Sequence, residues 1–464
     1  MSLPPRLRLA LIQLIEGMQT ALPPDASGTR PKIDLETAFT IFSLVFYMNP
    51  VLLTVLGRDA ATKVQQPTFL LIYALTFYFM YRHRHRYGSL IKSGGLLWVV
   101  VFIPLLSTLW SPFPDVTLRR AFAVVNTSLF GVYMGGRYNL KEILYLLRYV
   151  FVIIGGLSLI FAVVFPSWGL MQDLHAGAFR GVFIHKNSAA VRLSTGVIVF
   201  LVLTFSGEGS RLFNGIWTLL IFGMVTASQS STGLGACILS FASIPFLLIP
   251  RGKLSQMLPA IFGTLLLAFL GGMFLLENTG TVLEAFGEDS QLTGRANFWP
   301  VLLESIYQRF WLGYGYEGYW AGGLNGPSAI LAQLATTNAK THAHNGYLET
   351  MLSVGFLGLF CLIVNLWSSI LNFLKYVRHT TGFLALFPIL FMVQFFAANM
   401  VETSVYGYNN FTWVIYVCLI TCAIYDRAVM SLYSPKPEPE PVPPGLPIMD
   451  MDVGIDMEPE PVKL

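Results

Sequence analysis

The sequence predicts an all-α polytopic membrane protein, and three observations carry that expectation. Hydrophobic residues make up 54% of the 464-residue chain and charged residues only 12%, with a mean hydropathy of +0.61. A soluble domain would be about one quarter charged. The apolar residues gather into runs close to the roughly 20 that a helix needs to cross a hydrocarbon core, where the backbone must satisfy its own hydrogen bonds. Short basic clusters separate those runs.

About twelve runs meet the length criterion. Their cores are 38–57, 67–81, 95–110, 121–136, 143–165, 187–205, 214–228, 233–250, 257–277, 346–372, 381–400 and 411–426. The clusters "RHRHR" at 82–86, "RGK" at 251–253 and "KYVRH" at 375–379 fall on the side shared by both termini. The positive-inside rule makes that side cytoplasmic. Residues 1–37 form a cytoplasmic N-terminal segment, in which "PPRLRLALIQLIEGMQTAL" has a short, interrupted apolar face and no small-residue cleavage site. It reads as an amphipathic helix on the inner leaflet and not as a cleavable signal. Residues 38–277 hold the first nine spans, 278–345 a large outer loop, and 346–426 the last three spans. The remainder, 427–464, is expected to be a disordered cytoplasmic tail, because from Ser434 onward it alternates proline with acid and cannot bury enough apolar surface to offset its ordering entropy.

Cys237, Cys361, Cys418 and Cys422 all fall within expected spans, so they read as buried thiols and indicate neither a disulfide framework nor a zinc site. The net charge of +4 excludes little, but the chain contains no GxxxxGK[ST] loop and no GxGxxG turn between a strand and a helix, so nucleotide chemistry is not built in, and no nucleic-acid partner is expected.

The loop 278–345 is far longer than any other connection, and such loops are functional or disordered. Its stretch "LTGRANFWPVLLESIYQRFWLGYGYEGYW" has the pattern of a capped helix, with Thr293 as N-cap, one face of Phe298, Trp299, Leu302, Leu303 and Ile306, and a break at Gly313 and Gly315. Arg295 then sits in the first turn, on the same side as Trp299 four residues later. A solvated arginine on an amphipathic helix fits the same pattern.

The loop ends in "KTHAHNGYLET", which puts two histidines and an asparagine directly ahead of the tenth run. Spaced by two, His342 and His344 do not share a helix face, and HxxxH metal spacing is absent. A histidine at the mouth of a span can stay neutral near pH 7 and accept a proton. It can equally well be an interfacial residue bonded to a loop carbonyl.

Taken in order along the chain, these motifs resemble the O-antigen ligase and polymerase superfamily. The resemblance rests on "LWSPFPDVTLRR", "RGVFIHKNSAA", "TASQSSTGLGA", "TGRANFW" with "GYG", and "HAHNGYLE". It implies a GT-C-like helical fold in the bacterial inner membrane, both termini cytoplasmic, and a site facing the periplasm. It also implies metal-independent inverting glycosyl transfer from an undecaprenyl-pyrophosphate-linked glycan, with no cofactor and a monomeric enzyme among membrane lipids. The loop acids Glu284, Glu288, Asp289, Glu304 and Glu317 form no DxD pair, in keeping with that. The chain departs from the family at Gln229, Ser230 and Ser231, where relatives often carry a basic residue beside a serine. The replacement cation is sought among Arg119, Arg120, Arg180, Lys186 and Arg192, although Arg119 and Arg120 also suit headgroup anchoring.

Transfer from a pyrophosphate needs a base for the acceptor hydroxyl, positive charge for the leaving group, and alignment of two lipids. The resemblance assigns the first task to His344 and the second to Arg295 with the cation set, since guanidinium grips phosphate oxygens bidentately. His342, Asn345, Trp299 and Glu402 complete the expected binding residues. Glu402, at a membrane boundary, needs a partner and either orients His344 or Arg295 or caps a helix. In "HKN", His185 and Asn187 read as a polar helix start with Asn187 or Ser188 as N-cap. The favoured function is O-antigen ligation to lipid A-core, with polymerase and protein oligosaccharyltransferase as close variants. A polytopic transporter or flippase is the alternative from another class, although no internal repeat is evident.

Overall fold

The computed structural model describes residues 34–48, 52–84, 87–88, 90, 94–172, 175–248, 263, 291–329, 342–379 and 382–433. The N-terminal segment before residue 34, nearly all of the ninth expected span, the acids at 284, 288 and 289, and the tail from 434 lie outside them. The described chain is helical, and the β-type pairing among the described residues is one isolated bridge, Leu170 with Phe179.

In chain order the helices are α1 (Leu35–Tyr47), α2 (Leu52–Arg82), α3 (Gly95–Leu106), α4 (Pro114–Arg137), α5 (Leu140–Val164), α6 (Lys186–Ser206), α7 (Arg211–Ala227), α8 (Ser231–Leu248), α9 (Gln291–Gln308), α10 (Gly346–His379), α11 (Phe387–Asn399) and α12 (Phe411–Tyr433). Except for α9, each stands over an expected span. Three of them, Leu140–Val164, Lys186–Ser206 and Gly346–Val377, are long and apolar enough to cross a membrane by length and composition, and the shorter apolar helices pack beside them. The chain is a helical membrane protein.

Local chemistry sets the boundaries. Asp34 Oδ1 accepts from the Thr37 amide at 2.8 Å and starts α1 three residues ahead of the expected core. The first expected span, 38–57, ends early at Tyr47, and α2 carries a non-helical residue at Gly57. Thr293 lies inside α9 and does not cap it, because the helix begins at Gln291. On α9, Trp299, Leu302 and Ile306 face a core as expected, but Leu303 is 45% exposed. The helix also stops at Gln308, before Gly313 and Gly315, whose positive φ values of 66° and 81° shape the following turns.

The bundle closes where small residues let backbones meet. A Cβ on Gly131 would lie 2.8 Å from the Val414 carbonyl oxygen, and one on Gly135 only 2.3 Å from that of Cys418. These two glycines, four apart on α4, form the close contact with α12 that membrane helices favour. Trp413 fills the gap beside them, with its indole N–H donating to Ser128 Oγ at 2.9 Å. Cys237, Cys418 and Cys422 are buried free thiols, and Cys361 is a partly buried one.

The main departure is in α10. The tenth expected span runs unbroken from 346 to 372, but Gly355 has φ 67°, ψ −169° and interrupts the helix. The loop after α9 fills the break. The Phe356 amide donates to the Phe310 carbonyl at 2.8 Å, Leu357 to Trp311 at 3.3 Å, and the Tyr314 amide to the Leu352 carbonyl at 2.7 Å. Irregular backbone at such a depth persists only when protein satisfies it. A Cβ on Gly355 would fall 2.4 Å from the Leu312 nitrogen, so glycine is required there. The break leaves a half-helix, 346–354, whose start carries the candidate site.

Candidate active site

The half-helix begins where it does because Asn345 caps it. Asn345 Oδ1 accepts from the amides of Tyr347 at 2.9 Å and Leu348 at 3.1 Å. Its Nδ2 donates to the Met400 carbonyl at 3.1 Å and ties the helix start to the α11–α12 loop. Asn345 is thus engaged in local structure. That loop carries Glu402, whose Oε2 lies 3.9 Å from His344 Nδ1. The distance suits an ion pair and is too long for a hydrogen bond.

His342 and His344 come together despite their spacing. The segment before α10 is a turn and not a helix, with His344 at a positive φ of 51°, and the two ring centroids lie 4.0 Å apart at 49°. Donor atoms of His342, His344 and Glu402 fall within 4.8 Å of one another, a grouping that could hold a metal ion. The absence of HxxxH spacing from the sequence therefore does not describe this cluster, which the turn creates.

The turn is gripped at Ala343, between the histidines. Its N–H donates to Glu349 Oε2 at 2.7 Å, and its carbonyl accepts from the Trp299 indole at 3.1 Å. Glu349 Oε1 also accepts from the Trp320 indole at 2.6 Å. Ala343 belongs to a small second core with Leu302, Ile306, Tyr314, Tyr319, Met351 and Leu352, separate from the core of the bundle. Trp299 meets the histidine segment as backbone support. The Arg295 side chain lies outside the described residues, so only its place in the first turns of α9 is available. Glu349 and Trp320 were not singled out by the sequence reading. The usable signal was an acid one turn inside an apolar run, which is costly unless partnered.

The expected cations separate into different settings. His185, and not Asn187 or Ser188, is the N-cap of α6, its Nδ1 accepting from the Asn187 amide at 3.3 Å. Lys186 follows it, 2% exposed, and its Nζ donates to the Gln229 carbonyl at 3.0 Å. The corner at Gln229, which has a positive φ of 51° and no basic residue of its own, thus receives a cation from α6. Six residues further along the same helix, about 9 Å by helical rise, Arg192 donates to the Ser188 carbonyl at 3.0 Å and lies 5.7 Å from the Phe183 ring. The charge of Glu402 reaches Arg192, which links this helix to the histidine cluster.

Arg180 stands apart. Its Nε and both terminal nitrogens donate to the carbonyls of Trp168, Ile184 and Ser167 at 2.9–3.3 Å, so it folds its own loop. Arg120 pairs with Glu317 and lies 6.0 Å from the Tyr408 ring, while Arg119 is near enough for its charge to act on Tyr408. Burial pushes the Glu317 carboxyl above its ordinary pKa, and the charge and hydrogen bond of Arg120 pull it back in part. Tyr316 donates to the Tyr406 carbonyl at 2.6 Å, which fastens this corner to the loop that carries Glu402.

Residues 216–363, covering α7, α8, α9 and the first half of α10 with the histidine turn, match the family model described as O-antigen ligase. The chain is also 24% identical over 303 residues to the exopolysaccharide production protein ExoQ of Rhizobium meliloti (strain 1021), a match covering 61% of this chain and 66% of that relative, just under two thirds of its length. Over the residues they cover, the family model and the ExoQ likeness make the chain similar to the O-antigen ligase and polymerase superfamily, in agreement with its apolar helical fold.

Proposed function

We propose that this chain is an inner-membrane glycosyltransferase, with its site at the periplasmic face and both termini cytoplasmic. It transfers O-antigen from undecaprenyl pyrophosphate to a sugar hydroxyl of lipid A-core. The observation that carries this reading is the approach of Glu402 to His344 at 3.9 Å, with the Glu402 charge acting on Arg192 of α6. In the tautomer protonated on Nδ1, His344 Nε2 takes the acceptor proton, and Glu402 at 3.9 Å compensates the imidazolium charge that results.

The acceptor oxygen attacks the anomeric carbon of the donor as its proton passes to His344 Nε2. The bond from that carbon to the pyrophosphate oxygen breaks, and the configuration inverts. The leaving group gains negative charge, which Lys186 and Arg192 stabilise along the N-terminal turns of α6, where the helix dipole adds to them. Arg295 at the start of α9 and Arg119 beside Tyr408 are the further cations of the set. The reaction is assigned without a metal on the resemblance alone, and chelation tests that assignment at the His342, His344 and Glu402 grouping.

The relative's printed role in exopolysaccharide production supports a second reading, in which the acceptor is another glycan and the enzyme a polymerase. The transporter alternative is weaker, because the break in α10 is filled by loop backbone and does not line a path. Mass analysis of lipopolysaccharide from a strain lacking the protein separates the readings. Free core with polymer stranded on the carrier lipid identifies a ligase, and core bearing one repeat unit identifies a polymerase. Unchanged lipopolysaccharide with loss of a secreted polysaccharide moves the acceptor outside lipopolysaccharide altogether.

A further inference from the structure

We infer that Glu349 is a positioning residue that sets the His342–His344 turn from inside the half-helix. The inference rests on the reading of His344 as the base. Glu349 is 8% exposed and has no ion-pair partner among the described residues. Its two carboxylate oxygens each take a neutral N–H, from Ala343 and from the Trp320 indole. A buried acid held only by neutral donors is a costly way to hold a fold in either protonation state, since an apolar side chain of similar volume would pack without a desolvation penalty. Its partners explain why the acid is there.

The Ala343 amide lies between the two imidazoles, and His344 must hold a left-handed backbone that a non-glycine residue adopts at a cost. Such a conformation persists only where its surroundings over-determine it. Glu349 fixes the amide side of Ala343 and Trp299 the carbonyl side, so the peptide planes on either side of Ala343 are each pinned, and the direction of the His344 ring toward Glu402 follows. Through Trp320 the same carboxylate joins the histidine turn to the "GYGYEGYW" loop, whose Glu317 pairs with Arg120. A shift of the turn by about 1 Å would cost alignment of the attacking hydroxyl, which is worth up to about 100-fold in rate.

The test uses the full-length protein in lipid nanodiscs, with an undecaprenyl-pyrophosphate-linked oligosaccharide as donor, and compares Glu349→Gln and Glu349→Ala alone and combined with His344→Ala. Glu349→Gln keeps one acceptor oxygen but turns an amide N–H toward one of the two donors, so it should lose less than Glu349→Ala. We expect kcat to fall about 10- to 100-fold with donor KM within about twofold. Hydrogen exchange of the peptide spanning residues 342–348 should quicken by about tenfold or more while exchange in α4 and α12 stays as in the parent. In the His344→Ala background, Glu349→Ala should add little further loss, because it acts through a residue already removed. Unchanged exchange in the histidine turn, exchange that quickens equally across the bundle, or a fully additive loss in the double variant would each overturn the inference. Full activity in His344→Ala alone would instead sink the base assignment, and the exchange measurement would still decide whether Glu349 holds the turn.

Discussion

The two ends of the bundle both bury carboxylates, and they treat them in opposite ways. At the end where α1 and α5 begin and α4 finishes, Glu36 is 6% exposed and saturated by partners. Its Oε1 accepts from Tyr133 Oη at 3.0 Å and from Arg137 Nε at 3.2 Å, and its Oε2 lies 3.3 Å from His83 Nε2. At the other end the acids are kept apart. Glu317 pairs with Arg120, Glu349 takes two neutral donors, and Glu402 faces His344 from 3.9 Å with Arg192 within reach of its charge. Only the first end is closed as a structural ion cluster. The second leaves one acid open: Glu402 stands 3.9 Å from His344, room that a substrate hydroxyl would complete on the proposed function.

The largest test of that contrast sets one histidine against its neighbour. His344→Ala should lower turnover by about 100-fold or more, the usual scale of general-base catalysis, whereas His342→Ala should cost several-fold at most. The two substitutions match in size and location, so a difference reports role and not damage. Activity of the parent should fall on the acid side, because a protonated imidazole cannot accept the acceptor proton. Steady-state turnover of both variants, with and without chelator, checks this. Equal losses, or abolition by chelator with rescue by a divalent ion, would turn the three-donor grouping of His342, His344 and Glu402 into a metal site.

The opposite end should respond in stability and not in chemistry. Glu36→Gln leaves Arg137 without its anion in a partly buried place, at a cost of roughly 1–3 kcal/mol once solvent screening at the partly exposed guanidinium is allowed for. Denaturation of the purified variant should show that loss, while kcat and KM of the surviving folded protein stay at parent values. A variant of parental stability but impaired turnover would mean that the two ends are coupled through the bundle.

How much of this was legible in the sequence follows from the same contrast. The helices over the expected cores were readable because a membrane imposes long apolar runs on any chain that crosses it. His344, Glu402 and Lys186 could be singled out as titratable groups at span mouths, where charge is costly, and the resemblance then suggested their roles. The interruption at Gly355 was not, since "SVGFLGL" keeps an apolar pattern and what breaks the helix is the backbone of residues 310–314, some forty positions upstream. The pairing of the two imidazoles was hidden for a similar reason. Spacing by two keeps side chains apart on a helix, and only the left-handed turn at His344 brings them together. His185 was passed over as a cap because Asn and Ser are the usual choices. Arg180 looked like a candidate for phosphate, yet it is turned onto three carbonyls that no local pattern announces.

The smallest effect probes the ion pair of Arg120 with Glu317 at the site end. Burial raises the Glu317 carboxyl above its ordinary 4.5, and Arg120 only partly offsets that. The folded protein therefore holds the Glu317 proton more tightly than the unfolded chain does. The resulting contribution to stability is fully present below the unfolded pKa and is lost as pH rises through the raised folded value. Glu317→Gln is neutral throughout and has no such loss, so relative to the parent it should gain stability between pH 4 and pH 7. The shift should be small, a few degrees or less in thermal midpoint, because Arg120 is about one third exposed and water can replace its partner. Midpoints of both proteins at the two pH values measure the sign directly. If the parent gains on the variant as pH rises, Arg120 outweighs burial, and this corner belongs with the saturated cluster at Glu36.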